Sequence, residues 1–188
     1  MPVLISMLRG VNLGAHNRIK MEALRALYES LGFAGVRTYV QSGNVVFRAK
    51  QTSPTGVATK IQDAIEKKFK FRPVVIVRTT EDLRKAVART PFASSRKLEP
   101  AKILITFLAS EPPSDAQGNL ARFQSHPEEL HLKGRELYIY FPNGAGRSKL
   151  PWSSVEKFLK VSGTARNWNS VLAMLEMAEE LEAGPEQS

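Results

Sequence analysis

The order in which strand and helix patterns follow one another is the feature that most constrains the fold of this chain. A continuous apolar run at Val3–Leu8 is typical of a strand buried on both faces. From it, the order strand, helix, strand, strand, helix occurs twice along the chain. In the first half a closing strand and a further helix follow, which is ferredoxin-like order, whereas in the second half a helix replaces the closing strand. This order predicts an α+β fold of two ferredoxin-like halves packed together, with the second half ending in helices.

The boundary between the halves is expected where the composition changes. Proline, serine and lysine collect near residues 90–100. We therefore expect a first half at residues 1–92, a second half with a C-terminal helix at residues 100–183, and a frayed tail at residues 184–188. The halves show no residue-level identity, so the repeat is one of pattern only.

The apolar strands also predict how the sheets are covered. Val3–Leu8, Val74–Val77 and Ile103–Leu108 are mostly apolar at successive positions, which indicates that both faces of each sheet are covered. A ferredoxin-like RNA-binding protein instead leaves one sheet face open and carries stacking aromatic residues on it. Tyr138 and Tyr140 alternate along one strand, and we expect them to pack rather than to stack on bases.

Charge is unevenly distributed along the sequence. The 188 residues carry a net charge of +9. Residues 1–90 contain 16 Lys and Arg against 6 Asp and Glu, a net charge of +10, and residues 91–188 contain 11 against 12, a net charge of −1. A basic half favours an anionic partner such as nucleic acid or a phosphorylated small molecule, although basic surfaces also simply keep proteins soluble.

Several kinds of site are excluded or unsupported. The chain has no cysteine, which excludes disulfides, thiolate metal sites and a cysteine nucleophile. His16, His126 and His131 have no zinc-type spacing, so we expect no metal and no cofactor. The N-terminal apolar run stops at Arg9, which fits neither a signal peptide nor a membrane span. We expect a cytoplasmic monomer that does not associate with membranes.

Four polar segments at strand or helix ends are candidates for binding. Arg9–Gly14 is a Gly-containing connection after the first strand, and Gln41–Asn44 has the composition of a hairpin turn. Asn143–Lys149 combines two glycines with Arg and Lys and could hold a phosphate. Thr164–Asn169 combines Arg, Trp and two Asn before the last helix. Each segment also has a purely structural interpretation as a turn or a helix cap.

The candidate ligand-binding residues have side chains that can hold and orient an oxyanion. They are Arg9, Asn12, Ser42, Asn44, Arg147, Lys149, Arg166, Asn167 and Asn169. We expect at least Arg9, Asn44 and Arg166 to converge on one cleft between the halves. The alternative is that each of them stabilises its own local turn. Asn169 is also a predicted N-cap of the last helix.

These observations leave three classes of function open. The leading hypothesis is a binding module for an anionic ligand, either nucleic acid or a phosphorylated metabolite. The first alternative is a small metal-independent enzyme with a cleft lined by Arg and Asn, and the second is a protein-interaction module. No patterned nucleophile, base or acid pair is present in the sequence, so no catalytic residue is assigned.

The four segments together resemble a bacterial family known as domain of unknown function 1697. The resemblance is carried by Leu8–Gly14, Thr38–Phe47, Gly146–Lys149 and Thr164–Asn169, in the same order and over essentially the whole chain. It implies two ferredoxin-like halves and a cytoplasmic bacterial protein, and it supplies neither an activity nor a catalytic residue. Ala15 stands where family members often have a second glycine, which weakens a backbone anion site in that loop.

Overall fold

The chain is an α+β protein with two four-stranded antiparallel sheets. A computed structural model describes residues 1–50, 53–92, 97–123 and 127–185. Within these ranges it contains six α-helices. His126, part of the expected boundary region and residues 186–188 of the expected tail lie outside the described residues. None of the described helices is long and apolar enough to cross a membrane.

Two compact units make up the chain. Unit 1 consists of Met1–Lys85 together with Leu172–Ser188, and unit 2 consists of Ala86–Val171. The chain therefore leaves unit 1 inside its third helix and returns to it inside its last helix.

The first sheet and its helices alternate along the chain. In sequence, these elements are β1 (Val3–Leu8), α1 (Met21–Ser30), β2 (Ala34–Tyr39), β3 (Asn44–Arg48), α2 (Pro54–Phe69), β4 (Val75–Thr79) and α3 (Thr80–Ala88). The strand order in the sheet is β2-β3-β1-β4, and all neighbours are antiparallel.

Local sequence signals explain where the helices of this unit begin and end. The Ser53 side chain accepts a hydrogen bond from the backbone N–H of Gly56 and so caps α2, and Pro54 occupies its first turn. Lys70 adopts left-handed backbone geometry and ends the same helix. From α1, Leu24 and Tyr28 are fully buried in the core over the sheet.

The second unit repeats the same order of seven elements. In sequence, these are β5 (Ile103–Leu108), α4 (Ala116–Leu120), β6 (Glu129–Lys133), β7 (Glu136–Tyr140), α5 (Trp152–Leu159), β8 (Gly163–Asn167) and α6 (Trp168–Ala183). The strand order is β6-β7-β5-β8, again antiparallel throughout.

The expectation that the second half lacks a closing strand is wrong, because β8 completes its sheet. Its sequence, Gly-Thr-Ala-Arg-Asn, has no apolar alternation and therefore carries no strand signal. The glycine is required by close packing on β5: a Cβ at Gly163 would lie 2.7 Å from Cγ2 of Thr106 and 2.9 Å from the carbonyl oxygen of Phe107. Of the polar segment Thr164–Asn169, the first four residues therefore lie in this strand and the last two in the helix that follows.

The predicted N-cap of the last helix is also corrected. Helix α6 starts at Trp168, one residue before the predicted cap. The side-chain oxygen of Asn167 accepts a hydrogen bond of 3.0 Å from the backbone N–H of Asn169. Asn167 therefore caps the helix, because the strand runs directly into it and leaves no loop in which Asn169 could act.

The central strands of the two units correspond residue by residue. The sequence alone showed no such identity between the two halves. Strand β1 reads Val-Leu-Ile-Ser-Met-Leu and β5 reads Ile-Leu-Ile-Thr-Phe-Leu. Ser6 and Thr106 occupy the same position in them. Arg78 in β4 and Arg166 in β8 each lie opposite the isoleucine that precedes this hydroxyl residue. The shared register shows that the repeat extends to individual residues in the central strands.

Most of the last helix belongs to unit 1, not to the second half as expected. Buried Arg48 donates hydrogen bonds to the carbonyl oxygens of Leu181 and Gly184, at the C-terminal end of α6. Two further arginines of unit 1 pair with glutamates of this helix, namely Arg37 with Glu180 and Arg84 with Glu179, both at 3.0 Å. A helix pattern identifies an apolar face but not the sheet on which that face packs.

The return of α6 removes the charge asymmetry seen along the sequence. Unit 1 contains 15 Lys and Arg and 11 Asp and Glu, whereas unit 2 contains 12 and 7. Their net charges are therefore +4 and +5. The excess of basic residues in the N-terminal half therefore does not make one unit more basic than the other.

The prediction that both sheet faces are covered is confirmed for the strands on which it rested, β1, β4 and β5, and fails at Ala165 of β8, which is exposed. Every residue of β1 and β3 is buried, as are the three central residues of β7. Tyr138 is fully buried, and its hydroxyl donates a hydrogen bond of 2.6 Å to the carbonyl oxygen of Ala86. Its ring is therefore part of the core, as predicted.

Candidate ligand-binding site

The first predicted segment forms a hydrogen-bonded connection within unit 1. Asn12 adopts left-handed backbone geometry, with a φ of 59°. Its side-chain amide donates to the carbonyl oxygens of Ile19 and Gln41, at 2.9 and 2.8 Å, and its side-chain oxygen accepts from the backbone N–H of Ile19. Both amide hydrogens are thus used to join the β1–α1 connection to the β2–β3 turn.

The second segment is tied to the same place. Asn44 is fully buried, and its amide donates to the carbonyl oxygen of Tyr39 and to the hydroxyl of Ser42. Arg9 is half-buried and directly follows β1. The bonds of Asn12 and Asn44 favour the alternative in which these residues stabilise their own turns.

The third segment lies in unit 2, directly after β7. Gly144 has a φ of 82°, and a short 3-10 turn follows at Ala145–Arg147. Ser148 accepts a hydrogen bond from the backbone N–H of Leu150. Arg147 and Lys149 are exposed and form no ion pair with any residue that the structure describes. These two cations remain available to an outside anion.

The fourth segment provides buried polar groups in unit 2. Arg166 is 8% exposed and donates to the hydroxyl of Thr164 and the carbonyl oxygen of Ala165, at 2.7 and 2.8 Å. Burial lowers the pKa of Arg166 to about 10, so its guanidinium stays charged at neutral pH. Asn167 donates to the carbonyl oxygen of Ala101, and Asn169 is exposed.

The predicted site residues therefore fall into separate groups. Arg9 and Asn44 belong to unit 1, and Arg166 belongs to unit 2. Their convergence on one cleft stays a prediction.

A cavity that sequence reasoning missed lies within unit 2. It has a volume of about 270 Å³ and lies against the helix-side face of the sheet, where Thr106, Ile139 and Ala165 line it. Its outer wall comes from the third segment and the start of α5, including Ser148 and Trp152. The segment that carries Arg147 and Lys149 is therefore one wall of a mostly apolar cavity.

The cavity exists because the helix over this part of the sheet is short. In unit 1, α2 has 16 residues and packs on β4, where Val77 is buried. Helix α5 has only 8 residues, and Ala165, at the same register as Val77, is exposed. The short apolar stripe of α5 was the sequence signal that could have indicated an uncovered patch.

One buried group in the cavity lacks a hydrogen-bond partner. Thr106 is fully buried, and its hydroxyl oxygen has no partner among the described residues. Burying a hydroxyl without a partner costs about 1–3 kcal/mol. Such a group next to a cavity is the kind of unsatisfied position that a ligand oxygen can complete.

Ser148, which lines the cavity, makes a close contact with a carboxylate outside the cavity lining. The hydroxyl of Ser148 donates to Oε1 of Glu128 at 2.5 Å. Glu128 is 7% exposed. This distance is at the short end of the range for O–H···O hydrogen bonds, so the contact fixes the Ser148 side chain in the cavity wall.

Comparison with solved structures supports the fold. The structure of the conserved bacterial protein SP0830 from Streptococcus pneumoniae is similar to this chain with a TM-score of 0.66. The two sequences are 23% identical, and the match covers 94% of this chain and 98% of that chain. At this identity the similarity concerns the fold alone.

Comparison with protein families confirms the resemblance seen in the four segments. No curated protein matches the sequence significantly. The model of the family described as "Protein of unknown function (DUF1697)" matches residues 1–138, which is more than half of the chain. The chain therefore belongs to the DUF1697 family.

Proposed function

We propose that this protein is a binding module for a small anionic ligand whose apolar part occupies the cavity of unit 2. The observation that carries the proposal is the position of Arg147 and Lys149. Both belong to the segment that walls a cavity of about 270 Å³, and neither is engaged by a described carboxylate. Small-molecule sites typically combine such apolar walls with a few polar groups that fix orientation.

The size and lining of the cavity favour a small molecule over nucleic acid. Its volume lies near the lower end of ligand sites, which suits a compact metabolite carrying a carboxylate or phosphate. Ferredoxin-like domains that bind single-stranded RNA stack bases on aromatic residues of an open sheet face, whereas Tyr138 of this chain is in the core.

The strand order supports a finer description of the fold. We infer that each unit is ferredoxin-like, because strands and helices occur in the order βαββαβ and the sheet orders are β2-β3-β1-β4 and β6-β7-β5-β8. The cytoplasmic location and the monomeric state stay predictions from the sequence.

The test is an isothermal titration calorimetry experiment in which the full chain is titrated with carboxylated and phosphorylated metabolites. We expect R147A/K149A to weaken binding about tenfold or more, since charge-assisted hydrogen bonds contribute about 1.5–3 kcal/mol. The melting temperature should barely change, because both side chains are exposed. The matched control is K157A/K160A, which removes two exposed lysines outside the cavity lining. An equal loss in the control, or no binding of any small anion, would overturn the proposal.

A second candidate function is a small metal-independent enzyme, and the contact of Ser148 with Glu128 favours it. A carboxylate that accepts the proton of a hydroxyl is an arrangement that can activate a nucleophile. If this function is correct, the protein should cleave an activated ester such as p-nitrophenyl acetate or its phosphate counterpart, and S148A should abolish turnover while the protein remains folded. Cleavage that is unchanged in S148A would exclude it.

A further inference from the structure

We infer that the ligand of the unit 2 cavity is a phenol that also carries an anionic group, such as a hydroxyphenyl carboxylate or phosphate. This inference rests on the function proposed above. It comes from comparing one position of the central strand in the two units, Ser6 in unit 1 and Thr106 in unit 2. In unit 1 the Tyr28 side chain hydrogen-bonds to this position, whereas in unit 2 the Thr106 hydroxyl has no partner among the described residues.

In unit 1 the hydroxyl on the central strand is satisfied by a phenol. The Ser6 hydroxyl and the Tyr28 hydroxyl share a hydrogen bond of 2.8 Å, and both residues are fully buried. The Tyr28 ring is held edge-on by Phe33 and Phe47, with centroid distances of 5.8 and 5.2 Å. Burial raises the pKa of Tyr28, so its hydroxyl stays protonated and available for this bond.

In unit 2 the same position carries a hydroxyl but no phenol. Thr106 is the fourth residue of β5, as Ser6 is the fourth residue of β1. Each lies opposite the residue that precedes the buried arginine of the closing strand, Val77 in unit 1 and Ala165 in unit 2. The Thr106 hydroxyl has no hydrogen-bond partner among the described residues.

The surrounding side chains are smaller in unit 2, which leaves room for a ring. Phe47 pairs with Leu4 in unit 1, and the smaller Ile139 pairs with the corresponding Leu104 in unit 2. Helix α1 supplies Tyr28, whereas its counterpart in unit 2, α4 with the 3-10 turn Ala121–Phe123 that continues it, supplies no phenol. Phe141 and Trp152 line the cavity and are the aromatic side chains against which a bound ring would pack.

These features define the ligand by three groups. Its ring occupies the cavity between the sheet and Trp152, and its hydroxyl bonds to Thr106. Its anionic group lies at the wall formed by the third segment, where Arg147 and Lys149 are available. A free phosphate would satisfy only the cations, and an aliphatic acid would leave the Thr106 hydroxyl without a partner.

The experiment compares four acids by calorimetry on the full chain: 3-(4-hydroxyphenyl)propionate, 3-phenylpropionate, 3-cyclohexylpropionate and propionate. Phenyl phosphate and 4-hydroxyphenyl phosphate form a second pair, with inorganic phosphate as the control without a ring. We expect the phenolic acid to bind about tenfold more tightly than phenylpropionate, because one hydrogen bond to a buried hydroxyl differs between them. The same preference should hold for the phosphate pair.

Variants of Thr106 distinguish this inference from the function on which it rests. T106V should bind both aromatic acids equally, whereas T106S, which keeps the hydroxyl, should retain the preference. Thr38→Val, the same change in a strand of unit 1, is the matched control and should leave the preference intact. If phenylpropionate or cyclohexylpropionate binds as tightly as the phenol, the phenolic inference is wrong while anion binding stands. If no acid and no phosphate binds, both are wrong.

Discussion

Ser6 and Thr106 hold the same position in two central strands, and we expect their hydroxyls to affect stability with opposite sign. S6A would leave the buried Tyr28 hydroxyl without its partner, and we expect a loss of about 1–3 kcal/mol. T106V removes a hydroxyl that already lacks a partner, so the free energy of unfolding should be unchanged or rise by up to about 1 kcal/mol. Urea unfolding of both variants measures the difference.

A double-mutant cycle provides the control for this pair. In the Y28F background, S6A should cost much less than in the wild type, because the hydrogen bond is already absent. A T106V variant that is as destabilised as S6A would show that the Thr106 hydroxyl has a partner in solution.

Val40 is a second residue whose local geometry predicts a stability change. It is a β-branched residue with a φ of 48°, in the turn between β2 and β3, and is 53% exposed. Left-handed geometry is strained for Val and is tolerated by Asn. We expect V40N to raise the free energy of unfolding by about 0.5–1 kcal/mol, measured by urea unfolding. Thr38→Asn, at a strand position without positive φ, is the control and should bring no gain.

Buried Arg48 of β3 binds the C-terminal end of helix α6, where the last carbonyl groups of a helix lack partners within the helix. R48M removes the hydrogen bonds to the carbonyl oxygens of Leu181 and Gly184, and we expect a loss of about 2–3 kcal/mol. R37M breaks only an exposed ion pair with Glu180 and should change the free energy of unfolding by less than about 0.5 kcal/mol. Chemical denaturation checks both values. If R48M and R37M lose similar amounts of unfolding free energy, the bonds of Arg48 to the helix carbonyl groups contribute no more than an exposed ion pair.

The elements that were predicted from the sequence are those with a strong local pattern. Strands β1 and β5 are apolar at nearly every position, and α2 has a clear stripe that includes Val57, Ile61 and Ile65. Strand β8 was missed because it is short, polar and recognisable only by its pairing with β5. The cavity was missed for a related reason. It results from the length of α5 relative to the sheet beneath it, and the short apolar stripe of α5 indicates that difference only when the sheet is known.

At the scale of the whole molecule, the contiguous halves of the sequence are not the structural units. A fragment of residues 1–92 lacks Leu172–Ser188 and thus the contacts of Arg48 with α6. We expect the amide NMR spectrum of this fragment to be poorly dispersed. Addition of a peptide of residues 168–188 should give the well-dispersed spectrum of a folded domain. A fragment of residues 86–171 contains all of unit 2 and is the control. A well-dispersed spectrum of the 1–92 fragment alone would contradict the expectation.

The balanced charges of the two units predict weak binding to nucleic acid. With net charges of +4 and +5, neither unit has the strongly basic surface that the N-terminal sequence suggests. We expect any binding of RNA or DNA at low salt to disappear near roughly 0.15 M salt, because counterion release then drives little association. Fluorescence anisotropy with single- and double-stranded probes at two salt concentrations measures this. Retained affinity at the higher salt would favour a nucleic-acid function.

The discontinuous composition of unit 1 has a consequence for biosynthesis. A ribosome makes Met1–Lys85 first, but Leu172–Ser188 only after every residue of unit 2. The part of the protein that emerges first is therefore the part that is completed last, which reverses the usual N-to-C order of folding during translation. While unit 2 is being translated, the nascent unit 1 has Arg48 without its helix and the surface that α6 later covers open to water. That interval is when a chaperone would have its clearest binding site on this chain.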